Sequence, residues 1–311
     1  MFVRRLFRAI VGLTAALAAT LALAPGAQAA SRYVQMSSKS AADPGFSKFG
    51  SDYYVYATGG AIYRGSSLHH KFKQVGTLKV PSNYSALWAP HVFASSGHYF
   101  ALFTAIKSGN SQHCVYWSVS NKPTGGFGKP HLVACGNGWE AIDPSLYSHG
   151  GKSWVIWKRG HYTGSGFPHG DFEIRGAKVT VSGSTLHFSK QHVLVKAYNT
   201  DCMEAPSMIW HGNKVWLFVS RNRYDTNAYR TEVWSASSVT GKYHKVKTLM
   251  KNGQGWGHGP GGAEVLKSGG TTYIAYHAWA TDKPTPQTSS KRVVRFAKIS
   301  WSKKGPSMAS L

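Results

Sequence analysis

The sequence predicts an all-β chain folded as a five-bladed β-propeller, mainly because one phrase returns five times. In each copy a proline, with a polar or acidic residue beside it, leads to a short turn and then an aromatic-rich apolar run. The copies are spaced by roughly 45–60 residues, the repeat length of a propeller blade. Aromatic residues make up 13% of the chain and charged residues only 15%, which suits aromatic packing between sheets.

The five copies read, in chain order, DPGFSKFGSDYYVYAT, APHVFASSGHYFALFT, DPSLYSHGGKSWVIWK, EAPSMIWHGNKVWLFVS and GPGGAEVLKSGGTTYIAYHAW. Turn signals such as SSG, HGG, HGN and SGG separate the strand-like runs within them. A second strand-like run follows in the later units, and convincing helical periodicity is absent from the sequence. A β-sandwich is the rival architecture, but it gives no reason for five copies of one phrase. The pattern does not say which strand closes the ring.

The first 29 residues have the pattern of a secretory signal peptide. MFVRRLFR gives a basic start, AIVGLTAALAATLALA an apolar stretch, and Ala27-Gln28-Ala29 a cleavage site. The apolar stretch is short for a membrane span, which makes an uncleaved anchor the weaker alternative. We therefore expect a secreted protein in which residues 30–311 form a single domain, with no membrane association after cleavage.

The chain is strongly basic, with a formal net charge of +24. Removing the three arginines of the predicted signal leaves +21 on the mature chain. This charge serves either solubility or attraction to a polyanion, such as an anionic cell-wall or pectic polysaccharide. The lysines and arginines are scattered and form no basic stripe, which argues against specific nucleic-acid binding.

The chain has three cysteines. Cys114 and Cys135 bracket a strand–turn–strand pattern, so in an exported protein their side chains could meet in a disulfide. Cys202, two residues before Glu204, is expected to be a buried free thiol. No CxxC or HExxH spacing suggests a zinc site.

Three copies of the phrase open with a carboxylate: Asp43, Asp143 and Glu204. Equivalent positions of a radially repeated fold lie near one axis, so we expect the three acids to share a pocket. Each Asp-Pro alone could simply open a turn. Hydrolysis of a glycosidic bond needs a proton donor and a base or nucleophile, and a third carboxylate nearby raises the donor's pKa. Three acids at matched positions therefore indicate a glycosidase.

The phrases ADPGF, LWAPHVF, AIDPSLY, EAPSMIW and GPGG…AYHAW resemble, in order, the blades of glycoside hydrolase family 43, which groups arabinanases, α-L-arabinofuranosidases and β-xylosidases. The resemblance runs from about Ala42 to Trp301. It implies a five-bladed propeller and single-displacement hydrolysis with inversion. It also implies Asp43 as general base, Asp143 as the pKa-modulating, orienting aspartate, and Glu204 as general acid. EAPSM, YHAW and the bracketing cysteines are most similar to secreted, arabinan-directed members.

Candidate substrate contacts are Trp88, His91, Trp157, Asn222, His258 and Arg292. Trp88 precedes the proline of the second copy, where an indole could stack on a sugar or belong to the core. Trp139 is a similar candidate. The resemblance implies a substrate-contacting arginine at Arg292, with Arg295 as the alternative register.

Many family members have a histidine in a GPGH phrase that helps to hold an axial calcium. This chain has GPGG, with Gly262 at that place, and neither His258 nor Glu264 fits the register. We therefore expect no required cofactor, with an axial calcium as the open alternative.

The leading functional hypothesis is a secreted hydrolase of α-L-arabinofuranosyl linkages in arabinan or arabinoxylan side chains. A β-xylosidase or xylanase is the alternative of the same class. A non-catalytic glycan- or wall-binding propeller is the alternative of another class, although pure binding needs no acid–base pair. Endo or exo cleavage depends on rim loops, expected at residues 160–172 and 197–203, and the sequence does not decide it.

Overall fold

The computed structural model describes residues 32–163, 168–281 and 291–311. Every regular element in these ranges is a β-strand, which confirms the predicted fold class. The described residues form one compact unit. The predicted signal peptide and residues 164–167 of the expected rim loop lie outside the described residues. The described part of the chain contains no helix with the length and hydrophobicity of a membrane span.

The strands form the five antiparallel sheets of a propeller. A short strand, β1 (Val34–Gln35), precedes the first blade. Blade 1 contains β2 (Gly45–Phe49), β3 (Asp52–Tyr56), β4 (Ala61–Gly65) and β5 (Lys73–Thr77). Blade 2 contains β6 (Tyr84–Ser95), β7 (His98–Lys107), β8 (Cys114–Ser120) and β9 (His131–Ala134). Blade 3 contains β10 (Glu140–His149), β11 (Lys152–Tyr162) and β12 (His169–Ser182), with β13 (Thr185–Phe188) and β14 (His192–Asp201) both pairing with β12.

The last two blades repeat the meander. Blade 4 contains β15 (Met203–His211), β16 (Lys214–Arg221), β17 (Arg230–Ala236) and β18 (His244–Met250). Blade 5 contains β19 (His258–Ser268), β20 (Thr271–Trp279), β21 (Arg292–Ser302) and β22 (Gly305–Ala309). The innermost strands β2, β6, β10, β15 and β19 each contact the next, and β19 contacts β2. The ring is therefore closed.

The first strand supplies the closing contact between the two ends of the chain. In the pairing of β1 with β21, Val34 lies opposite Phe296 and Gln35 opposite Arg295. The outer edge of blade 5 is thus built from both ends of the described chain, since β22 pairs with another part of β21.

Hydrophobic clusters lie between neighbouring blades. Phe46 of blade 1, for example, packs on Phe296 of blade 5 with ring centroids 5.4 Å apart. Fully burying an aromatic side chain of this size contributes about 1.5–3 kcal/mol. The aromatic composition therefore stabilises the seams between blades, as the sequence predicts.

One residue at the axial end of each blade has a left-handed backbone conformation. These residues are Asp43, Ala89, Asp143, Ala205 and Gly262, with φ values of 51°, 42°, 57°, 49° and 58°. In blades 2 to 5 the inner strand pairing shifts register at this point. A non-glycine residue in this conformation costs on the order of 1–3 kcal/mol, so neighbouring contacts must hold it.

The left-handed positions correct one expectation. Asp43 and Asp143 occupy equivalent places, but Glu204 precedes the left-handed Ala205 by one residue. By strand register Glu204 is the counterpart of Trp88 in blade 2. The reason is that the bulge, and not the acid, is the fixed point of the repeat. The three acids converge on one pocket even though they do not share one repeat position.

A set of backbone-to-side-chain hydrogen bonds links these left-handed residues around the axis, and we call it the axial ring. Four N–H groups donate to the preceding blade: Ala89 to Thr58 Oγ1 (3.0 Å), Asp143 to Thr104 Oγ1 (3.0 Å), Gly262 to Ser220 Oγ (2.8 Å) and Asp43 to His277 Nδ1 (3.1 Å). In the fifth link, the N–H of Ala205 donates to Asp143 Oδ2 at 3.0 Å. The axial ring fixes the backbone beside all three acids.

Candidate active site

A pocket of about 440 Å³ at the propeller axis contains all three predicted acids. Its lining consists of Asp43, Thr58, Trp88, Glu140, Ile142, Asp143, Tyr162, Glu204, Tyr224, Asp225 and Arg292. The acids come from blades 1, 3 and 4, which are far apart in sequence. Of the predicted substrate contacts, the pocket includes Trp88 and Arg292.

Asp43 is held as a carboxylate. Its Oδ2 accepts a hydrogen bond from Thr58 at 2.8 Å, and its Oδ1 accepts one from the Arg292 guanidinium at 3.1 Å. Burial alone would raise the pKa of Asp43, but the charge of Arg292, the His277 ring and the two hydrogen bonds lower it below the ordinary value. Asp43 is therefore ionised even in mildly acidic solution, as a general base must be.

Aromatic rings and a neutral histidine hold the partners of Asp43. The guanidinium of Arg292 lies 4.9 Å from the Tyr224 ring centroid and 5.9 Å from that of Trp279, so cation–π attraction fixes its position. Burial, reinforced by the charge of Arg292, lowers the pKa of His277 to about 3. The uncharged imidazole can then accept the N–H of Asp43 in the axial ring.

Asp143 is the acid of the three whose ionised form is disfavoured by its surroundings. Burial raises its pKa well above the ordinary value, and the charges of Glu204 and Asp43 raise it further. The charge of Lys158 and the N–H of Ala205 oppose this rise only in part. Asp143 is thus coupled to Glu204 both by charge and through the backbone hydrogen bond to Ala205.

Glu204 is buried in a cluster of hydrogen-bond donors. Its Oε1 accepts from the Tyr229 hydroxyl at 2.9 Å. Its Oε2 accepts from the Cys202 thiol at 3.1 Å and from the Lys158 ammonium at 3.3 Å. Burial, followed by the charge of Glu204, raises the pKa of Cys202 well above its ordinary value, so the sulfur keeps its proton.

Lys158 and Glu140 are site residues that the sequence analysis missed. The Lys158 ammonium lies 2.7 Å from Glu140 Oε1 and 3.1 Å from the Tyr162 hydroxyl. The signal was present in the repeats, because Lys158 ends the run SWVIWK where the two preceding copies end in threonine. A lysine at a place that three other blades give to small hydroxyl residues marks a blade with a different role.

Two predicted substrate contacts belong to other parts of the fold, so these assignments need correction. Trp157 is only 1% exposed and packs in the cluster between blades 2 and 3. Successive side chains of a strand point to opposite faces. Because Lys158 is turned toward the pocket residues Glu204 and Glu140, Trp157 is turned into the core. Arg295 is also buried and donates to the Trp256 carbonyl at 3.0 Å, which leaves Arg292 as the arginine of the pocket.

The three polar candidates are not among the residues that line the pocket. Asn222 donates to Asp201 Oδ2 at 2.9 Å, and His258 Nδ1 lies 3.2 Å from the side-chain oxygen of Asn252. His91 is buried beside a smaller axial cavity, where its Nδ1 lies 3.6 Å from Glu264 Oε2.

Trp139 packs against the guanidinium of Arg159, 4.4 Å from its ring centroid. It therefore also lies outside the pocket lining.

The cysteine predictions are confirmed. Cys114 and Cys135 form a disulfide, and Cys202 is a buried free thiol. The residue before Cys114, His113, stacks on Trp88 with ring centroids 3.9 Å apart. The disulfide therefore lies behind an aromatic wall of the pocket.

The residues near the axis do not fit a calcium ion held by protein ligands. A side chain at Gly262 would begin 2.5 Å from His277 Nδ1, so the histidine fills that space. Oε1 of Glu264 already accepts from the hydroxyls of Ser145 (3.0 Å) and Ser207 (2.8 Å). Calcium takes six to eight oxygen ligands. Within the described ranges, no group of three or more His, Cys, Asp or Glu side chains is arranged to hold a metal.

A five-bladed propeller with three carboxylates in one axial pocket has the architecture of a propeller-type glycoside hydrolase. The chain belongs to the glycosyl hydrolases family 43, whose family model matches residues 36–306. No functionally curated protein matches the sequence.

Several solved structures share the fold. An α-L-arabinanase from Cellvibrio cellulosa superposes with a TM-score of 0.68 at 17% identity, covering 86% of this chain and 95% of that one. An arabinanase from Bacillus subtilis gives 0.67 at 20% identity, with 88% and 99% covered. A xylan β-1,4-xylosidase from Bacillus halodurans gives 0.65 at 16% identity, with 88% and 55% covered. At these identities the likeness shows the fold alone.

Proposed function

We propose that the protein is a secreted, inverting hydrolase of α-L-arabinofuranosyl linkages in arabinan or arabinoxylan side chains. The proposal rests on one observation: the three acids have different environments. Asp43 is held ionised by Arg292, Asp143 has a raised pKa, and Glu204 lies among hydrogen-bond donors. Carboxyl groups with such different environments suit acid–base catalysis of glycoside cleavage.

In the proposed mechanism, Glu204 gives a proton to the oxygen of the leaving group while the bond from that oxygen to the anomeric carbon breaks. Asp43 takes a proton from a water molecule, which attacks the anomeric carbon from the opposite face. The sugar is released with inverted configuration. Asp143 holds the backbone at Ala205, the residue that follows Glu204. An inverting pair needs carboxyl groups roughly 6.5–9.5 Å apart to leave room for water.

The substrate assignment has indirect support. Arabinanases from two organisms share the fold at near-complete coverage of their own chains. Trp88 and Tyr224 give the pocket aromatic surface on which a sugar ring can stack. A β-xylosidase is the second candidate, because a xylan β-1,4-xylosidase has the same fold.

The test uses the protein from residue 30 onward with debranched arabinan, arabinoxylan, xylan and the matching aryl glycosides. We expect release of arabinose units and, in NMR spectra recorded early in turnover, product of inverted configuration. Cleavage of xylosides alone would replace the substrate assignment, and retained configuration would overturn the mechanism. Glycan binding without cleavage would indicate a non-catalytic propeller. The Asp43→Ala variant, checked for folding by circular dichroism, is the inactive control.

A further inference from the structure

Lys158 occupies the place of an axial-ring acceptor but accepts no hydrogen bond of the ring. By strand register it occupies the place in blade 3 that Thr104 and Ser220 occupy in blades 2 and 4. Those side chains accept the N–H of the left-handed residue in the following blade. A lysine ammonium has three donors and no acceptor. It cannot form this link, and Asp143 Oδ2 accepts the N–H of Ala205 in its place.

The ammonium of Lys158 is instead shared between two carboxylates. It lies 2.7 Å from Glu140 Oε1 and 3.3 Å from Glu204 Oε2, and its side chain is fully buried. Burial disfavours its charge, but the facing groups Cys202, Glu140 and Glu204 outweigh burial and raise the pKa of Lys158 well above its ordinary value. Because the Cys202 thiol is neutral, the two carboxylates carry this attraction. A permanent buried cation therefore stands beside Glu204.

We propose that Lys158 is a positioning residue for proton donation: it holds Oε2 of Glu204 and stabilises the carboxylate that remains after the proton has left. The inference rests on the proposed role of Glu204 as general acid. Lys158 is absent from the pocket lining, so it acts on the reaction through Glu204 and does not touch the sugar.

The energetic argument concerns charge that appears during the reaction. When Glu204 gives its proton to the leaving oxygen, a neutral carboxyl becomes a carboxylate in a site shielded from water. A fixed cation a few ångströms away stabilises that charge without reorganisation. Glu140 shares the ammonium and supplies the counter-charge that makes a buried lysine tolerable. Without Lys158, this stabilisation of the new carboxylate would be lost.

The effect of the Lys158 charge should be measurable in a pH–rate profile despite the other ionisable groups of the cluster. The groups that face Glu204 and Lys158 are Asp43, Asp143, Glu140, Tyr162, Cys202 and Tyr229, with His113 behind Glu140 at 3.9 Å. Burial raises the pKa values of Tyr162, Cys202 and Tyr229, which therefore stay protonated. Lys158 also opposes the rise in the pKa of Asp143. Removing the cation thus favours the protonated form of Asp143, and the alkaline limb of the pH–rate profile should move to higher pH.

The test compares Lys158→Met with Lys158→Thr, which restores the hydroxyl acceptor of the axial ring. Each is also made together with Glu140→Gln, so that no lone buried carboxylate remains if a single variant fails to fold. Kinetics are measured on aryl glycosides whose leaving groups differ in acidity. We expect kcat to fall by about tenfold or more for poor leaving groups, part of the full contribution of a general acid. It should stay near the parent value for the most acidic leaving groups, with KM unchanged.

The control is Lys152→Met, which removes an exposed lysine from the same strand and should change nothing. An equal fall of kcat for all leaving groups with an unmoved pH profile would mean a merely structural role and would overturn the proposal. Unchanged kinetics would also overturn it.

Glu204→Ala separates this inference from the proposed function. If that variant shows no dependence on the leaving group, the acid role of Glu204 itself fails. If it shows a steep dependence and the Lys158 variants show none, only the role of Lys158 fails.

Discussion

Oδ2 of Asp143 accepts a hydrogen bond from the backbone N–H of Ala205 at 3.0 Å. The bond joins the carboxylate of blade 3 to the residue that follows Glu204 in blade 4. It supplies the axial-ring link that three hydroxyls and the ring of His277 supply elsewhere, so an acid of the pocket also serves as a structural acceptor. Changes at Asp143 will therefore affect both folding and chemistry, and the two effects can be separated by pH.

We predict that Asp143→Asn stabilises the fold at neutral pH while it slows turnover. The pKa of Asp143 is raised above 3.8 in the folded state, so its ionisation destabilises the fold increasingly as pH rises above 3.8. Asparagine keeps an acceptor for Ala205 and carries no charge. Thermal melts should show a higher Tm for the variant at pH 7, with the gap closing toward pH 4. A lower Tm at pH 7 would contradict the assignment.

Asp43→Asn is the matched comparison with the opposite sign. The folded-state pKa of Asp43 is below 3.8, so its charge stabilises the fold above that pH, and this contribution is lost on acidification. We expect this variant to melt lower than the parent at pH 7 and to approach it at pH 3. Equal shifts in the two aspartate variants would show that volume, and not charge, governs both.

Asp43, the proposed general base, and Glu204, the proposed general acid, should respond differently to replacement by alanine. Asp43→Ala should abolish hydrolysis of every substrate, because no leaving group replaces activation of water. Glu204→Ala should lose about 10²–10⁴-fold on natural glycans and spare aryl glycosides with acidic leaving groups. Initial rates across a leaving-group series measure this. A steep leaving-group dependence in the Asp43 variant would exchange the two roles.

Denatured, unreduced protein should contain one titratable thiol, that of Cys202. Replacing Cys114 and Cys135 together with serine should lower the free energy of unfolding by about 3 kcal/mol, since the bridge spans 21 residues. It should also raise KM, because His113 then supports Trp88 less firmly. Denaturant melts and kinetics of the double variant check both effects, and three titratable thiols in the parent would contradict the pairing.

Chelation should leave the enzyme unchanged. Gly262 offers no side-chain ligand, and Oε1 of Glu264, which lines the smaller axial cavity with Asp43 and Asp143, already accepts from two serine hydroxyls. We expect the same Tm and the same rate before and after exhaustive treatment with EDTA, with added calcium restoring nothing. A Tm that falls with EDTA and recovers with calcium would reveal a site built largely from water ligands.

The high positive charge gives a prediction about retention on the substrate matrix. The mature chain, at +21, should bind acidic polysaccharide columns at low salt and elute as salt rises, because exposed charges are screened within about 10 Å at 0.1 M. Debranched neutral arabinan is the control matrix. Elution that does not depend on ionic strength would show that charge does not drive retention.

The sequence predicted the blades and the convergence of the acids, because both follow from a phrase that repeats along the chain. The offset of Glu204 relative to Asp143 is present in the sequence, where Pro144 directly follows Asp143 but Ala205 separates Glu204 from Pro206. It gains its meaning only from the left-handed backbone of Asp143 and Ala205. Contacts between blades, such as that of Lys158 with Glu204, depend on side-chain reach across the axis. The inward direction of Trp157 could have been inferred once Lys158 was assigned to the pocket, because strand neighbours alternate.

The pairing of Val34 with Phe296 joins residues that are far apart in the chain, which has a consequence for folding. The segment that is synthesised early in the domain must wait for nearly the last strand before it finds its partner. Until then the outer edge of blade 5 is incomplete, and an unpaired edge can recruit other chains. Contacts between such distant residues also slow folding. The first residues of the domain therefore cover part of β21, and trimming a few of them should leave every blade intact in sequence but expose the edge of β21.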